Sequence, residues 1–284
     1  MKQTFRRFGI ASRAGVMAVV IALPLFSCED ETLSENEEQQ SEQIINDEAL
    51  ADDLFEDMDA ISMEAASYSE NGRTLSGSLA DLSCLSRSVN QSLSSGKYTK
   101  EVTLDFSDDC SDAQGRNRSG KLVVNHVIDA STYTLSTKFD GFIINGNKLD
   151  GTRTLVYSQN DKGVLSATIT LVDGKITLAD GSVITREGSF TKEIDAQNGK
   201  VVLSGKAEGT NRNGVGYVAQ ITTPLVFKTS CLMEGNFMAV SGNKEITRVD
   251  RKTLALDYGD GSCDNTVRLN IDGVESTIDI TINK

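Results

Sequence analysis

Few residue types able to do chemistry occur in this chain of 284 residues. His126 is its single histidine, which excludes any metal site built from several imidazoles. No Gly-x-Ser-x-Gly elbow accompanies it. It falls on the inward register of an alternating segment, the place of a packed, hydrogen-bonded core residue rather than a general base. Carboxylates concentrate in LDYGDGSCDN, from Leu256 to Asn265, and in a looser copy, LDFSDDCSDAQG, from Leu104 to Gly115.

Two such acidic stretches raise the question of calcium. An EF-hand loop needs oxygen ligands at its first, third and fifth positions and a bidentate Glu at the twelfth. Counting from Asp257, Asp260 or Asp105, the twelfth residue is Arg268, Ile271 or Arg116, so the motif fails. A looser calcium site could use Asp257, Asp260 and Asp264, or Asp105, Asp108, Asp109 and Asp112. The competing and preferred reading is a tight turn held by side-chain to backbone hydrogen bonds. No other cofactor is expected. Gly214-Val215-Gly216-Tyr217-Val218-Ala219 fits a dinucleotide pattern by letter, but strand-like alternation follows it instead of the helix that would hold a pyrophosphate.

Glycoside hydrolysis would need only two carboxylates at a set separation. No pair stands out, and Trp, a common platform for stacking sugars, is absent. The sequence therefore points away from an enzyme.

The elements that must position these residues change character along the chain. From Asp47 to about Tyr68, apolar residues at Leu50, Leu54, Phe55, Met58, Ile61 and Ala65 form one helical stripe, with acidic residues on the other face. This predicts an amphipathic helix over residues 47–70, stopped near Asn71-Gly72. It would cap the body that follows or stand apart as a mobile stalk. From about Leu82 the period becomes two: Leu122, Val124, His126 and Ile128 alternate with Lys121, Val123, Asn125 and Val127.

Asp140-Gly141, Asn145-Gly146, Asp150-Gly151, Asp173-Gly174, Asp180-Gly181, Asn198-Gly199, Asn213-Gly214 and Asp272-Gly273 punctuate the alternating segments. Such dipeptides provide the positive φ angles of tight hairpins. The expected fold over residues 80–284 is all-β: an antiparallel meander of about a dozen strands, curled into a curved sheet, sandwich or barrel. It could comprise two similar halves. Aromatic residues make up only 6% of the chain, which argues against the girdles of a membrane-spanning barrel.

Charge is localised. The formal net charge is −13, yet 15 of the 41 acidic residues lie between Glu29 and Glu64, where there is no Lys or Arg. Four of the 28 basic residues fall within the first 28 positions, leaving 26 acidic against 24 basic in residues 65–284. The body is nearly neutral, and the acidic segment is no partner for nucleic acid.

The N-terminus carries Lys2, Arg6, Arg7 and Arg13, then the apolar run Ala14 to Phe26, about 13 residues against the roughly 20 of a spanning helix. This is the pattern of a cleaved signal peptide, residues 1–27. Leu25-Phe26-Ser27-Cys28 resembles the bacterial lipobox, a resemblance that implies acylation of Cys28 and a membrane anchor. Glu29-Asp30-Glu31 resembles the acidic export tag of Bacteroidota lipoproteins displayed on the outer face of the outer membrane; the periplasmic face is the alternative. Residues 28–46 would then be an acidic, solvated tether.

Apart from Cys28, the chain holds Cys84, Cys110, Cys231 and Cys263, an even number in an exported protein. Three connectivities are open. The internal echo favours Cys84–Cys110 and Cys231–Cys263, since each acidic motif places a cysteine after Leu-Asp-aromatic with another cysteine upstream. Each bridge would contribute about 3–4 kcal/mol by the chain-entropy account.

The body resembles uncharacterised Bacteroidota lipoproteins through Asp105-Phe106-Ser107, Cys110, Gly115-Arg116, Gly120-Lys121-Leu122, Gly151-Thr152-Arg153, Asp257-Tyr258-Gly259 and Cys263-Asp264-Asn265. The resemblance implies an all-β exported domain and brings no activity. The expectation is a lipid-anchored, non-catalytic module that binds an unidentified protein or glycan or supports the envelope. The alternative is a surface hydrolase acting on glycans or peptides.

Overall fold

A computed structural model describes residues 35–68, 79, 82–113, 115–129, 132–159, 164–233 and 238–280. The signal peptide, the lipobox, the export tag and the Asn71-Gly72 stop lie outside the described residues.

The body is all-β, as the period of two requires. Thirteen strands follow one another in a single antiparallel sheet whose spatial order equals the chain order. They are β1 (Leu85–Ser94), β2 (Lys97–Ser111), β3 (Asn117–Ile128), β4 (Tyr133–Ile144), β5 (Asn147–Gln159), β6 (Leu165–Thr177) and β7 (Val183–Asp195). The meander continues with β8 (Lys200–Thr210), β9 (Gly216–Lys228), β10 (Ser241–Arg248), β11 (Leu254–Asp260), β12 (Thr266–Ile271) and β13 (Val274–Asp279). The sheet is open, with β1 and β13 at its edges. It is continuous across the two expected halves.

Among the described residues one helix precedes the sheet. α1 spans Glu35–Ser67 and lies against one sheet face. A second, α2 (Thr229–Met233), is a single turn between β9 and β10.

α1 starts twelve residues before the expected Asp47 and takes in most of the segment expected to be a solvated tether. Burial explains the difference. Ile44 and Ile45 extend the apolar stripe onto β8–β12 side chains, and Glu37 and Ser41 meet Arg248 of β10. The remainder, from Ala51 to Ala66, packs on Val102, Leu104, Leu122, Val124, Leu135, Leu155 and Ile169. From Ser41 to Ala66 only Glu42, Asn46, Ala60 and Met63 are exposed, so the sheet encloses most of the helix circumference.

Glycines let the sheet curl this far. Asn145-Gly146 and Asp272-Gly273 form the two-residue turns expected, with positive φ at both positions. Asp140-Gly141, Asp150-Gly151 and Asp173-Gly174 are not turns. They sit inside β4, β5 and β6, where the pairing register shifts. A bulge bends and twists its strand, and here adjacent bulges meet: a Cβ on Gly120 of β3 would lie 2.3 Å from the Gly141 carbonyl oxygen. The dipeptide chemistry is that of positive φ in both cases, which is why sequence alone reads bulges as turns.

Two disulfides close the structure, Cys84–Cys110 and Cys231–Cys263, with Cα separations of 5.5 and 5.4 Å. The first ties the approach to β1 onto β2, and the second ties α2 to the β11–β12 turn.

Candidate functional site

The concave face is lined by cations as well as apolar residues. Lys100, Arg118, Arg153, Arg186, Lys244 and Arg248 occupy inward strand positions and are all buried. Isolated charges could not stay there. Their partners come from α1.

Arg153 holds Asp59, and Arg118 bridges Asp57 of the helix and Asp112 at the end of β2, at 2.9 and 2.6 Å. Arg186 donates to Glu48 and Asp52, each at 2.5 Å. Lys244 reaches Asp52 at 2.8 Å and Glu48 at 3.5 Å. The Tyr217 hydroxyl donates to Glu48 at 2.8 Å. Arg212 pairs with Asp47, Lys192 with Glu56, Arg116 with Asp53 and Asp57, and Arg248 with Glu37. Lys100 donates to the carbonyls of Ala66 and Tyr68, where the dipole at the helix C-terminus favours a cation.

The acidic face of α1 is therefore neutralised by residues up to 214 positions away, the separation of Arg251 from Glu37, which no local reading of the acidic stripe signals. Electrostatics follow from the pairing. Burial opposes ionisation of Asp52, yet Arg186 and Lys244 hold its carboxyl below the usual range. Lys244 loses hydration, but Asp52 leads the groups that push its ammonium well above the ordinary lysine value. Burial, joined by Glu48, raises the Tyr217 phenol well above its usual value.

A second cluster lies on the same face across β2–β5. Tyr98 and His126 rings meet edge-on at 6.0 Å, His126 and Tyr133 at 4.4 Å, and Tyr133 and Tyr157 edge-on at 5.4 Å. His126 is packed, with 5% of its surface exposed. It is not hydrogen-bonded as expected: among the described residues neither Nδ1 nor Nε2 has a partner. Burial, with Lys100 nearby, lowers its pKa and keeps the ring neutral. No sequence signal marks this cluster, because the tyrosines are remote in the chain and meet only through strand register.

The acidic motifs are local structure. Asp257 accepts from the Gly259 amide and from Arg268, Asp260 accepts from the Ser262 amide and hydroxyl, and Asp264 accepts from the Thr266 amide. In the looser copy, Asp105 pairs with Lys121, and Asp112 is buried against Arg118 and accepts from the Arg116 amide. Among the described residues no group of three or more His, Cys, Asp or Glu is placed to hold a metal ion. Gly214 and Gly216 flank the β8–β9 turn and open β9, without a helix.

The disulfides belong to an oxidising compartment outside the cytoplasm. Among the described residues no helix is long and apolar enough to cross a membrane. Compared with known proteins, the chain matches no family model, no curated protein and no solved structure.

Proposed function

We propose that the protein is a lipid-anchored module of the outer membrane, displayed at the cell surface in a bacterium of the Bacteroidota type, that binds a ligand or partner without catalysis. Cys28 carries the anchor and Glu29, Asp30 and Glu31 act as the export tag. The observation that supports export best is the pair of disulfides, which an extracytoplasmic protein keeps. The carboxylates that α1 turns toward the sheet argue for binding over hydrolysis. Asp47, Glu48, Asp52, Asp57 and Asp59 are each engaged by Arg or Lys, so none of them stands ready as a general acid or base.

A mass measurement on the N-terminal peptide of envelope-purified protein tests the anchor, with protease shaving of intact cells as the test of display. The expected peptide begins at Cys28 with acyl chains attached, and shaving removes the body. An unmodified Cys28, or a body fully protected on intact cells, would overturn the corresponding half of the proposal.

A further inference from the structure

We infer that the outer edge of β1 is a self-pairing surface, on which two copies of this chain join antiparallel about Val89. The sheet ends in two edges of different character. β13 is six residues long and carries Glu275 and Asp279, the short and charged build that keeps other strands off an edge. β1 is ten residues long, holds no proline, and pairs with β2 from Leu85 to Ser94 without a bulge. Its one charge does not guard it: Arg87 is turned inward, donating to the Leu79 carbonyl and lying 5.9 Å from the Tyr68 ring centroid.

Turn geometry fixes which backbone groups face outward. Ser95 and Gly96 both have positive φ and close β1 onto β2 as a two-residue hairpin, so the flanking Ser94 and Lys97 exchange hydrogen bonds. Alternation then commits Ser92, Asn90, Ser88 and Ser86 to β2, and turns the N–H and C=O of Leu93, Gln91, Val89, Arg87 and Leu85 away from it. Two bonds agree with this parity: the Cys84 carbonyl accepts from the Ser107 amide of β2, whereas the Leu85 amide donates to Leu82. Among the described residues β1 has β2 as its only neighbour in the sheet.

The sequence of this edge complements itself. Only residues of like parity can be opposed in an antiparallel pair, and centring the pair on Val89 opposes all five outward-facing residues at once. Val89 then meets Val89 of the second copy, Arg87 meets Gln91, and Leu85 meets Leu93. That gives about eight hydrogen bonds between the copies, since the Leu85 amides are already engaged. No like charges meet, and Leu93, 75% exposed in the single chain, gains an apolar neighbour. On the other face Ser86 meets Ser92 and Ser88 meets Asn90. A slip of two residues sets Leu93 against Arg87 in one direction and against Ser83, ahead of the strand, in the other. One register is therefore preferred, and it carries two-fold symmetry.

The interface is one strand wide, small against that of a permanent dimer, so association in the micromolar range is expected. The pairing goes beyond the reading above and needs no acylation of Cys28. The full chain is sedimented in density-matched detergent from about 1 to about 500 µM, and a monomer–dimer equilibrium is expected. Gln91→Pro removes an outward N–H that β2 does not use, so the variant should melt close to the parent and dimerise at least about tenfold more weakly. Val89→Cys should cross-link to a dimer under mild oxidation, because hydrogen-bonded partners hold their Cα atoms about 5.5 Å apart. Ser92→Cys, opposite Ser86, should not. A chain that stays monomeric throughout would overturn the inference, as would dimerisation that Gln91→Pro leaves intact, or a Val89→Cys variant that cross-links no more than Ser92→Cys. Growth beyond the dimer would overturn it too, since it would place β1 of one copy on β13 of the next.

Discussion

Arg153 of β5 and Asp59 of α1 form a bidentate pair, Nε donating to Oδ1 at 2.5 Å and Nη2 to Oδ2 at 2.7 Å. Their side chains are 5% and 8% exposed. The guanidinium also sits 5.7 Å above the Phe55 ring. Two planar groups locked by both donors and both acceptors fix the helix against the sheet in rotation as well as in distance.

Breaking that pair should cost far more than replacing it. Arg153→Ala leaves Asp59 buried and unpaired, an expected loss of about 3–5 kcal/mol in urea unfolding. The double replacement Arg153→Met with Asp59→Leu should recover most of the loss, since no buried charge remains. Equal destabilisation by the single and double variants would show that the pair does not carry its own desolvation.

Alkali should unfold the protein. Tyr217 and Lys244 both have folded-state pKa values raised above their ordinary values near 10 and 10.5. A group whose folded pKa is raised lends stability below its unfolded pKa and loses it as pH rises through the folded value. Melting temperature should hold steady toward pH 9 and fall above pH 10. Tyr217→Phe should flatten part of that fall.

Mild acid should act through His126, whose folded pKa is lowered. The groups facing it are Tyr98 and Lys100 from β2 and Tyr133 from β4. Below about pH 6.5 the unfolded chain takes up a proton that the buried ring resists, so stability falls with pH, by at most about 1.4 kcal/mol per unit. His126→Phe should remove this slope between pH 6.5 and 5 in unfolding measured across that range.

Gly120 should tolerate no side chain. Its φ is +81°, and an added Cβ would lie 2.3 Å from the Gly141 carbonyl oxygen. Gly120→Ala is expected to lose about 1–3 kcal/mol. Gly96, with φ +79° but nothing within 4 Å, serves as the control and should lose less in the same urea titration.

Much of the fold was legible because strand alternation is local. An antiparallel meander of about a dozen strands follows from neighbours in sequence, and the choice among three cysteine pairings from the echo between the two acidic motifs. The length of α1 was not, because what holds its first three turns is Arg248, beyond any local window. Inward basic residues such as Arg153 and Arg186 read as ordinary polar interruptions until an acidic helix is laid across them. The ring cluster of Tyr98, His126, Tyr133 and Tyr157 was invisible for a similar reason: its members become neighbours only through the hairpin registers.

α1 precedes every strand in the chain, yet Glu37 finds Arg248 only 211 positions later. The hairpins of the meander can zip one after another as they appear, because each needs only its predecessor. The first turns of the helix cannot, since contacts of such separation pay loop-closure entropy before they reward it. Folding should therefore end at the first turns of α1: Glu37 stays unneutralised until β10 is in place, and the final, slow step is its capture by Arg248.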